Sequence, residues 1–183
     1  MRTLFGHSLR LATARLIIRR FQASDVVETF KWCRDPIVSR FLSWEPHRTI
    51  EETERFIAFS QRQYLAAAVA PWVIEHRETG QAIGTCNFVS CEPELLRGEI
   101  GYCLSPAFWG QGLATEAVQA VVAYGFANRL ERIQATCSPE NWLSAKLLRR
   151  LGFAYEGLLR SYAFKRKKLI DVEMYALLKD DRP

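Results

Sequence analysis

One segment near the middle of the chain constrains the fold more than any other. An apolar stretch ends at Pro106, the loop Gly110-Gln111-Gly112 follows, and an amphipathic stretch begins at Leu113. This order predicts a strand, a glycine-rich loop and a helix. In such a loop the backbone N–H groups can converge on an anion, and the helix N-terminus adds the positive end of its dipole. We therefore expect a phosphate or pyrophosphate site here, the alternative being a tight turn that holds no ligand.

The loop does not follow two common phosphate-binding patterns. A P-loop requires a lysine directly after its last glycine, but Leu113 follows Gly112. A dinucleotide-binding loop requires a third glycine where this chain has Thr115. Neither an NTPase nor a dinucleotide-dependent enzyme is therefore indicated.

The composition narrows the class of protein. The chain has 183 residues, of which 49% are hydrophobic, and a net charge of +5, which predicts one domain over residues 9–180. The charge favours an anionic ligand, but the basic residues are dispersed and do not indicate a nucleic acid partner. The five cysteines lack paired spacing, and neither a membrane-spanning run nor a signal peptide is evident. We therefore expect a cytoplasmic protein that does not bind a membrane. Because no zinc-ligand spacing occurs, we also expect no metal.

Hydrophobic periodicity predicts strands that alternate with helices. The predicted strands cover residues 15–21, 72–76, 82–89, 98–104, 132–137, 153–164 and 169–178. The predicted helices are one opened by Asp25 with Glu28, one opened by Thr49 with Glu52 and carrying Phe56 and Phe59 on one face, one after the glycine loop, and one over 141–151 with Leu143, Leu147, Leu148 and Leu151 on one side. Gly152 stands where a left-handed helix cap is expected. This order predicts the α/β class with a mixed (α+β) sheet.

A second motif makes the loop more specific. The sequence Asn-Trp-Leu-Ser at 141–144 precedes Leu-Gly-Phe at 151–153, and residues 109–114 follow the pattern Q/R-x-x-G-x-G/A except for Trp109 in first place. In these motifs the chain resembles the GNAT superfamily of acetyl-CoA-dependent N-acetyltransferases, over residues 15–178. Trp109 and the Ala-Thr-Glu-Ala at 114–117 resemble the branch containing the ribosomal-protein N-terminal (alanine/serine) acetyltransferases.

The resemblance implies a fold, a cosubstrate and the residues that bind it. The fold would be a central, mostly antiparallel sheet with a splayed strand pair and helices on both faces. Strand 98–104 would pair with the pantetheine arm of acetyl-CoA, its backbone N–H groups would hold the thioester oxygen, and the glycine-loop amides would hold the diphosphate. The residues implied to bind acetyl-CoA are Tyr102, Cys103, Leu104, Trp109, Gly110, Gln111, Gly112, Leu113, Ala114, Thr115, Asn141 and Ser144.

The resemblance also implies catalytic roles for Asn141 and Ser144. Asn141 would hydrogen-bond the pantetheine arm or an ordered water, and a helix N-cap is the other reading, compatible with the first. Many family members use a tyrosine seven residues after this asparagine to protonate the departing thiolate, but this chain has Leu148 there. Ser144 is therefore the expected substitute, against the alternative of a solvent-facing helix serine.

Glu99 is the expected general base, acting through water. It lies on the strand that should carry the thioester, and burial could raise the pKa of its carboxyl to suit proton removal. The alternative is that Glu99 pairs with a nearby arginine such as Arg97 or Arg132. Direct attack by an already neutral amine needs no base at all.

The acceptor is predicted only by class. We expect a primary amine, foremost a protein N-terminus, with a small amine (an antibiotic, a polyamine or an amino-acid derivative) as the alternative and a non-catalytic CoA-binding module as a further one. Trp32, Trp44 and Tyr64 could line the acceptor pocket, although core packing is an equal reading for Trp32. The basic run 165–168 is expected to be a solvated turn, and the protein a monomer or homodimer.

Overall fold

The computed structural model describes residues 10–66, 69–165 and 167–181 and arranges them on one eight-stranded sheet. The strands are β1 (Arg10–Ala12), β2 (Leu16–Arg19), β3 (Val73–His76), β4 (Ala82–Glu92), β5 (Arg97–Leu104), β6 (Arg132–Cys137), β7 (Ala154–Lys165) and β8 (Lys168–Leu178). The helices are α1 (Val26–Cys33), α2 (Pro36–Ser39), α3 (Ile50–Leu65), α4 (Leu113–Ala127) and α5 (Trp142–Arg150). In this part of the chain no helix has the length and apolar character that crossing a membrane requires.

The sheet opens between its fifth and sixth strands. Its order is β1-β2-β3-β4-β5-β6-β8-β7, and the neighbours pair antiparallel except β5 and β6, which run parallel. Those two strands pair only from Arg97 opposite Arg132 to Glu99 opposite Gln134. Beyond Glu99, β5 stays paired with β4 as far as Leu104, while β6 stays paired with β8 as far as Cys137. The predicted splayed pair in a mostly antiparallel sheet is therefore confirmed.

Helix α4 packs on one face of the sheet and makes most of its contacts there through small and branched side chains. Val118, Val121 and Val122 are buried against the strands. A methyl group on Gly98 would lie 2.8 Å from a ring carbon of Phe88, and one on Gly125 would lie 2.6 Å from another. The two glycines therefore make room for the Phe88 ring between β5 and α4, where any larger side chain would overpack the core.

The predicted strands and helices are present, with differences at their ends and in their caps. Strand β6 matches its predicted bounds, and Gly152 has the expected left-handed φ of 88°. The predictions miss β1 and α2, because elements of 3 and 4 residues carry too little periodicity. Phe59 on α3 and Leu143 on α5 are about half exposed, so the apolar faces predicted for these two helices are only partly buried.

The capping box predicted at Asp25 and Glu28 is wrong. The Asp25 carboxylate accepts two hydrogen bonds from the Arg19 guanidinium, at 2.7 and 2.8 Å, and another from the backbone of Gln22. It faces back to the sheet and makes no cap hydrogen bond to α1. At α3, the Glu52 carboxylate accepts from the backbone of Arg48, one residue before the N-cap Thr49, and the Thr49 side chain makes no cap bond, so the box predicted at Thr49 and Glu52 does not form either.

Candidate active site

The glycine loop ends in an exposed, uncapped helix N-terminus. Gly110 and Gly112 have φ angles of 75° and 77°, the left-handed region that favours glycine. Gly112 is the N-cap of α4 and has no side chain with which to cap it. The first-turn N–H groups of α4 have no partner within the helix, because the first bond runs from Glu116 to the Gly112 carbonyl. This end of α4 is suited to an anion.

Residues from the start of the sheet hold this loop in place. The carboxylate of Glu116 accepts hydrogen bonds from the Thr13 hydroxyl at 2.6 Å, the Arg15 amide at 2.8 Å and the Arg15 guanidinium at 2.7 Å. The same guanidinium donates to the Gln111 carbonyl at 2.9 Å. Partial burial alone would raise the pKa of Glu116, but the bonds from Thr13 and Arg15 hold it below its ordinary value. Glu116 is therefore a fixed anion behind the loop.

Trp109 joins the glycine loop to the end of β5. Its indole Nε1 donates to the Leu104 carbonyl at 2.7 Å, and the side chain of Gln111 donates to the Ala107 carbonyl at 3.2 Å. The indole is partly exposed, so one edge remains accessible beside the loop. The loop and the free part of β5 thus form one rigid unit.

The gap between β5 and β6 brings together candidate residues from both faces of the sheet. Tyr102 lies on the face that packs against α5, and its hydroxyl oxygen is 2.7 Å from Oγ of Ser144. Glu99 precedes Tyr102 by three strand positions and therefore lies on the opposite face. Its carboxylate accepts hydrogen bonds from the Thr136 hydroxyl at 2.9 Å and the Gln134 amide at 3.4 Å. The structure thus places Glu99 and Ser144 on opposite sides of the same opening.

Glu99 is not an ion-pair partner of its neighbouring arginines. Arg97 forms two bonds of 2.8 Å to Glu92, and Arg132 binds Glu156 at 2.7 Å. The alternative that Glu99 pairs with Arg97 or Arg132 is therefore not found. The Glu99 carboxylate instead accepts from neutral donors on β6. The role of Glu99 as a base remains a prediction.

Asn141 and Ser144 form the N-terminal cap of α5. The Asn141 side-chain oxygen accepts a hydrogen bond from the Ser144 backbone at 3.3 Å. The N-cap reading is confirmed, and the contact to pantetheine stays a prediction. Ser144 is half-buried against Tyr102, so it is not the solvent-facing serine of the alternative reading. Leu148, where many relatives have tyrosine, is fully buried in the core.

Cys137 completes the cluster beside Ser144 and is not singled out by the sequence. It ends β6 on the face turned to α5, where burial raises the pKa of its thiol to about 11 and a hydrogen bond with Ser144 opposes that rise. The alternation of β6 could have placed Cys137 on that face. Nothing local to the sequence could have paired it with α5.

The aromatic residues predicted for the acceptor wall divide into two groups. Trp32 is 2% exposed and donates from its indole to the Ala82 carbonyl at 2.9 Å. Tyr64 is 6% exposed, donates to the Pro71 carbonyl and accepts from the Phe21 backbone. Both belong to the core, so the expectation that they line a pocket is not met.

Trp44 remains a candidate for the acceptor side. It is half-buried and packs against the buried cluster of Trp32, Cys33 and Val38, against which Cys103 also packs. Cys103 lies on the same face of β5 as Glu99. In the basic run, Lys165 donates to the Arg40 carbonyl and Lys167 and Lys168 are exposed, while residue 166 lies outside the described residues.

Comparison with known proteins relates the whole arrangement to acetyl transfer. A family model described as an acetyltransferase (GNAT) domain matches residues 15–154. An uncharacterized N-acetyltransferase, p20, of Bacillus licheniformis is 38% identical over 92% of this chain and 96% of its own length. The ribosomal-protein-serine acetyltransferase of Escherichia coli is 33% identical over 56% of this chain and 58% of that protein. The structure of RimL, a ribosomal L7/L12 alpha-N-protein acetyltransferase in complex with coenzyme A, superposes with a TM-score of 0.82 over 95% of this chain and all of that one, at 23% identity.

Proposed function

The chain belongs to the acetyltransferase (GNAT) family, and on that basis we propose that it transfers the acetyl group of acetyl-CoA to a primary amine, foremost the α-amino group of a protein N-terminus. The observation that carries the proposal is the parting of β5 and β6 beside an uncapped helix N-terminus. The loop amides from Gly110 to Thr115 would bind the diphosphate. The free edge of β5 after Glu99 would then pair with the pantetheine arm.

The two faces of the opening suit the two halves of the reaction. The amine nitrogen attacks the thioester carbon from the face that holds Glu99, and the new N–C bond forms as the carbonyl oxygen gains negative charge. Backbone N–H groups of β5 near Tyr102 to Leu104 would stabilise that oxygen. Collapse of the intermediate breaks the C–S bond, and the electron pair leaves with sulfur on the face that holds Ser144.

Proton transfer would also divide between the faces. The attacking nitrogen loses a proton to water held by Glu99, whose carboxylate is kept in place by Thr136 and Gln134. The Ser144 hydroxyl would donate a hydrogen bond to the departing sulfur. Asn141 would position both Ser144, through its backbone, and the pantetheine amides.

An α-amino group is the acceptor best matched to this site. Its pKa of about 7.7–8.0 leaves part of it neutral at pH 7, whereas a lysine amine near 10.4 needs strong deprotonation. The burial of Trp32 and Tyr64 in the core removes two of the aromatic residues that a closed small-amine pocket would need. The similarity to the ribosomal-protein-serine acetyltransferase of Escherichia coli agrees with a protein N-terminus.

The site of action proposed with this function is the cytoplasm. All five cysteines are free thiols. Burial raises the pKa of Cys91 to about 12, which keeps that thiol protonated at neutral pH. Free thiols of this kind fit a reducing compartment.

The test is acetyl transfer from acetyl-CoA, followed by CoA release and by mass spectrometry of the acceptor. The panel contains peptides with free N-termini, the same peptides with blocked N-termini and an internal lysine, and small amines. Free N-termini should be acetylated and blocked ones should not. Activity on small amines alone would contradict the N-terminal acceptor, and no release with any amine would contradict the transferase.

A further inference from the structure

We propose that Tyr102 is a positioning residue for the leaving group: its hydroxyl donates to Ser144 and so turns the Ser144 hydroxyl hydrogen toward the sulfur of CoA. The inference rests on the acetyltransferase function proposed for the site. It assigns a role to a β5 side chain whose expected contribution was only to bind the cosubstrate. The phenol then comes from the strand rather than from α5.

Helix α5 cannot supply that phenol itself. Leu148, one turn after Ser144, is fully buried in the apolar core and has no donor to offer. Tyr102 approaches Ser144 from the facing strand, and their hydroxyl oxygens are 2.7 Å apart, an ordinary distance for a strong O–H···O bond. The hydroxyls of Tyr102 and Ser144 therefore act as a pair at the mouth of the β5–β6 gap.

The Tyr102 phenol can act as the donor in this pair. Desolvation by burial raises the pKa of the Tyr102 phenol above its ordinary value, so the group keeps its proton across the physiological range. A hydroxyl has one hydrogen and two lone pairs. When Ser144 accepts from Tyr102, its own hydrogen is left for a third partner.

A sulfur atom lies near Ser144 even in the free protein. Cys137 ends β6, and Ser144 opposes the rise that burial causes in the pKa of its thiol. The free edge of β5, along which the pantetheine arm would run, borders the same opening. When Ser144 accepts from Tyr102, its own hydrogen is therefore free to turn to a sulfur that enters this opening.

The chemistry requires a hydrogen bond at the sulfur rather than complete proton transfer from Ser144. A thiol has a pKa near 8.5, and a tyrosine hydroxyl near 10, so neither hydroxyl gives up its proton favourably to a thiolate. The electron pair of the broken C–S bond stays on sulfur, stabilised by the oriented Ser144 donor. The sulfur then takes a proton from solvent, and the proton from the amine leaves through Glu99 and water.

The direct test is the acidity of the CoA thiol when it is bound, which needs no knowledge of the acceptor. The ultraviolet absorbance of the thiolate is followed against pH in the CoA complex, and the desulfo-CoA complex is subtracted to remove protein tyrosines and thiols. In the wild type the bound thiol should have a lower pKa than free CoA. Tyr102→Phe should raise it by about one unit, a tenfold loss of thiolate at a given pH, and Ser144→Ala should raise it at least as much.

A matched control removes a tyrosine hydroxyl elsewhere. Tyr155 on β7 packs against Tyr175 with ring centroids 5.5 Å apart and is half exposed. Tyr155→Phe should leave the pKa of the bound thiol unchanged. Circular dichroism of each variant shows that the fold is retained.

Turnover gives a second and independent readout. Tyr102→Phe should lower kcat by roughly tenfold, as expected for one lost hydrogen bond to a developing charge, with little change in the KM for acetyl-CoA. The Tyr102→Phe/Ser144→Ala double variant should be no slower than Ser144→Ala alone, because Tyr102 acts through Ser144.

Three results would overturn the inference, and they can be told apart. CoA that binds with the same thiol pKa in wild type and Tyr102→Phe would remove the role of Tyr102 while leaving the transferase intact. Additive losses in the double variant would show that Tyr102 does not act through Ser144. A wild type that binds no CoA would refute the proposed function, and the role of Tyr102 with it.

Discussion

The Arg15 guanidinium binds the Glu116 carboxylate at 2.7 Å across 101 residues of sequence. The same guanidinium donates to the Gln111 carbonyl within the glycine loop. Arg15 leads into β2, at one end of the sheet, and Glu116 lies in the first turn of α4. The pair therefore couples the shape of the loop to a distant part of the fold.

Replacing Glu116 by Gln should lower both stability and cosubstrate affinity. The free energy of unfolding at neutral pH should fall by about 1 kcal/mol, because charge-assisted bonds to Arg15 and Thr13 become neutral ones. CoA should bind roughly threefold to tenfold more weakly, since the Gln111 carbonyl loses its restraint. Chemical denaturation and calorimetric titration measure the two effects.

The stability effect of Glu116→Gln has a defined pH dependence. The folded protein holds the pKa of Glu116 below its ordinary value. The ion pair therefore contributes its full stabilisation of the fold above the unfolded pKa of about 4.3, and this contribution is lost as the pH falls through the lower pKa of the folded state. The difference between wild type and variant should shrink on acidification. Glu156→Gln is the matched control: it breaks the pair with Arg132, whose bonds likewise lower the pKa of Glu156, but should not change CoA affinity.

Replacing Gly112 by Ala should weaken CoA binding beyond its effect on stability. The left-handed φ of 77° costs an alanine about 1–2 kcal/mol, and its Cβ would stand where the diphosphate must approach. Gly80→Ala is the control, since Gly80 has a similar φ of 68° in the turn before β4 and no atom near its added Cβ. Equal CoA affinity in the two variants would argue against a diphosphate at this loop.

Replacing Glu99 by Gln should slow acetylation by roughly a hundredfold if Glu99 accepts the amine proton through water. Thr136→Val, which removes one donor to the carboxylate, should have a smaller effect. Glu92→Gln, which alters only the exposed pair with Arg97, is the control. An unchanged kcat in Glu99→Gln would point to direct attack by a neutral amine.

Trp32 and Trp44 should behave differently when shortened. Trp32→Phe loses the bond to the Ala82 carbonyl and leaves a void in the core, so stability should fall by about 1–3 kcal/mol with acceptor preference unchanged. Trp44→Ala should change the KM for the amine more than the KM for acetyl-CoA. Peptide kinetics alongside thermal unfolding separates the two. A change of acceptor preference in Trp32→Phe would place that residue in the site after all.

Local patterns were sufficient for the parts of the site that are continuous in sequence. The glycine loop, the bounds of β6 and the N-cap at Asn141 each depend on residues within one or two turns of one another. The failed capping box at Asp25 shows the limit of such patterns. The local sequence is compatible both with an Asp25 carboxylate that caps α1 and with one that binds Arg19 on the sheet, and the structure shows the second.

The contacts that sequence reasoning missed join distant segments. Tyr102 and Ser144 are separated by 42 residues, and Arg15 and Glu116 by 101. No periodicity or motif spacing encodes such pairs, because they depend on how β5, α5 and the start of the sheet pack. The burial of Trp32 and Tyr64 was hidden for the same reason: an aromatic side chain looks alike in a core and in a pocket wall.

Because β5 and β6 separate, this sheet has unpaired strand edges in its interior in addition to its two outer edges. An outer rim with vacant backbone groups invites another chain to add a strand and aggregate. Here the unpaired groups of β5 and β6 lie inside the sheet, because β4 flanks β5 and β8 flanks β6. The narrow pantetheine arm can therefore enter the gap, whereas a β-strand of another protein cannot. The protein can thus offer unpaired backbone hydrogen-bonding groups to a cosubstrate without offering them to the strands of other proteins.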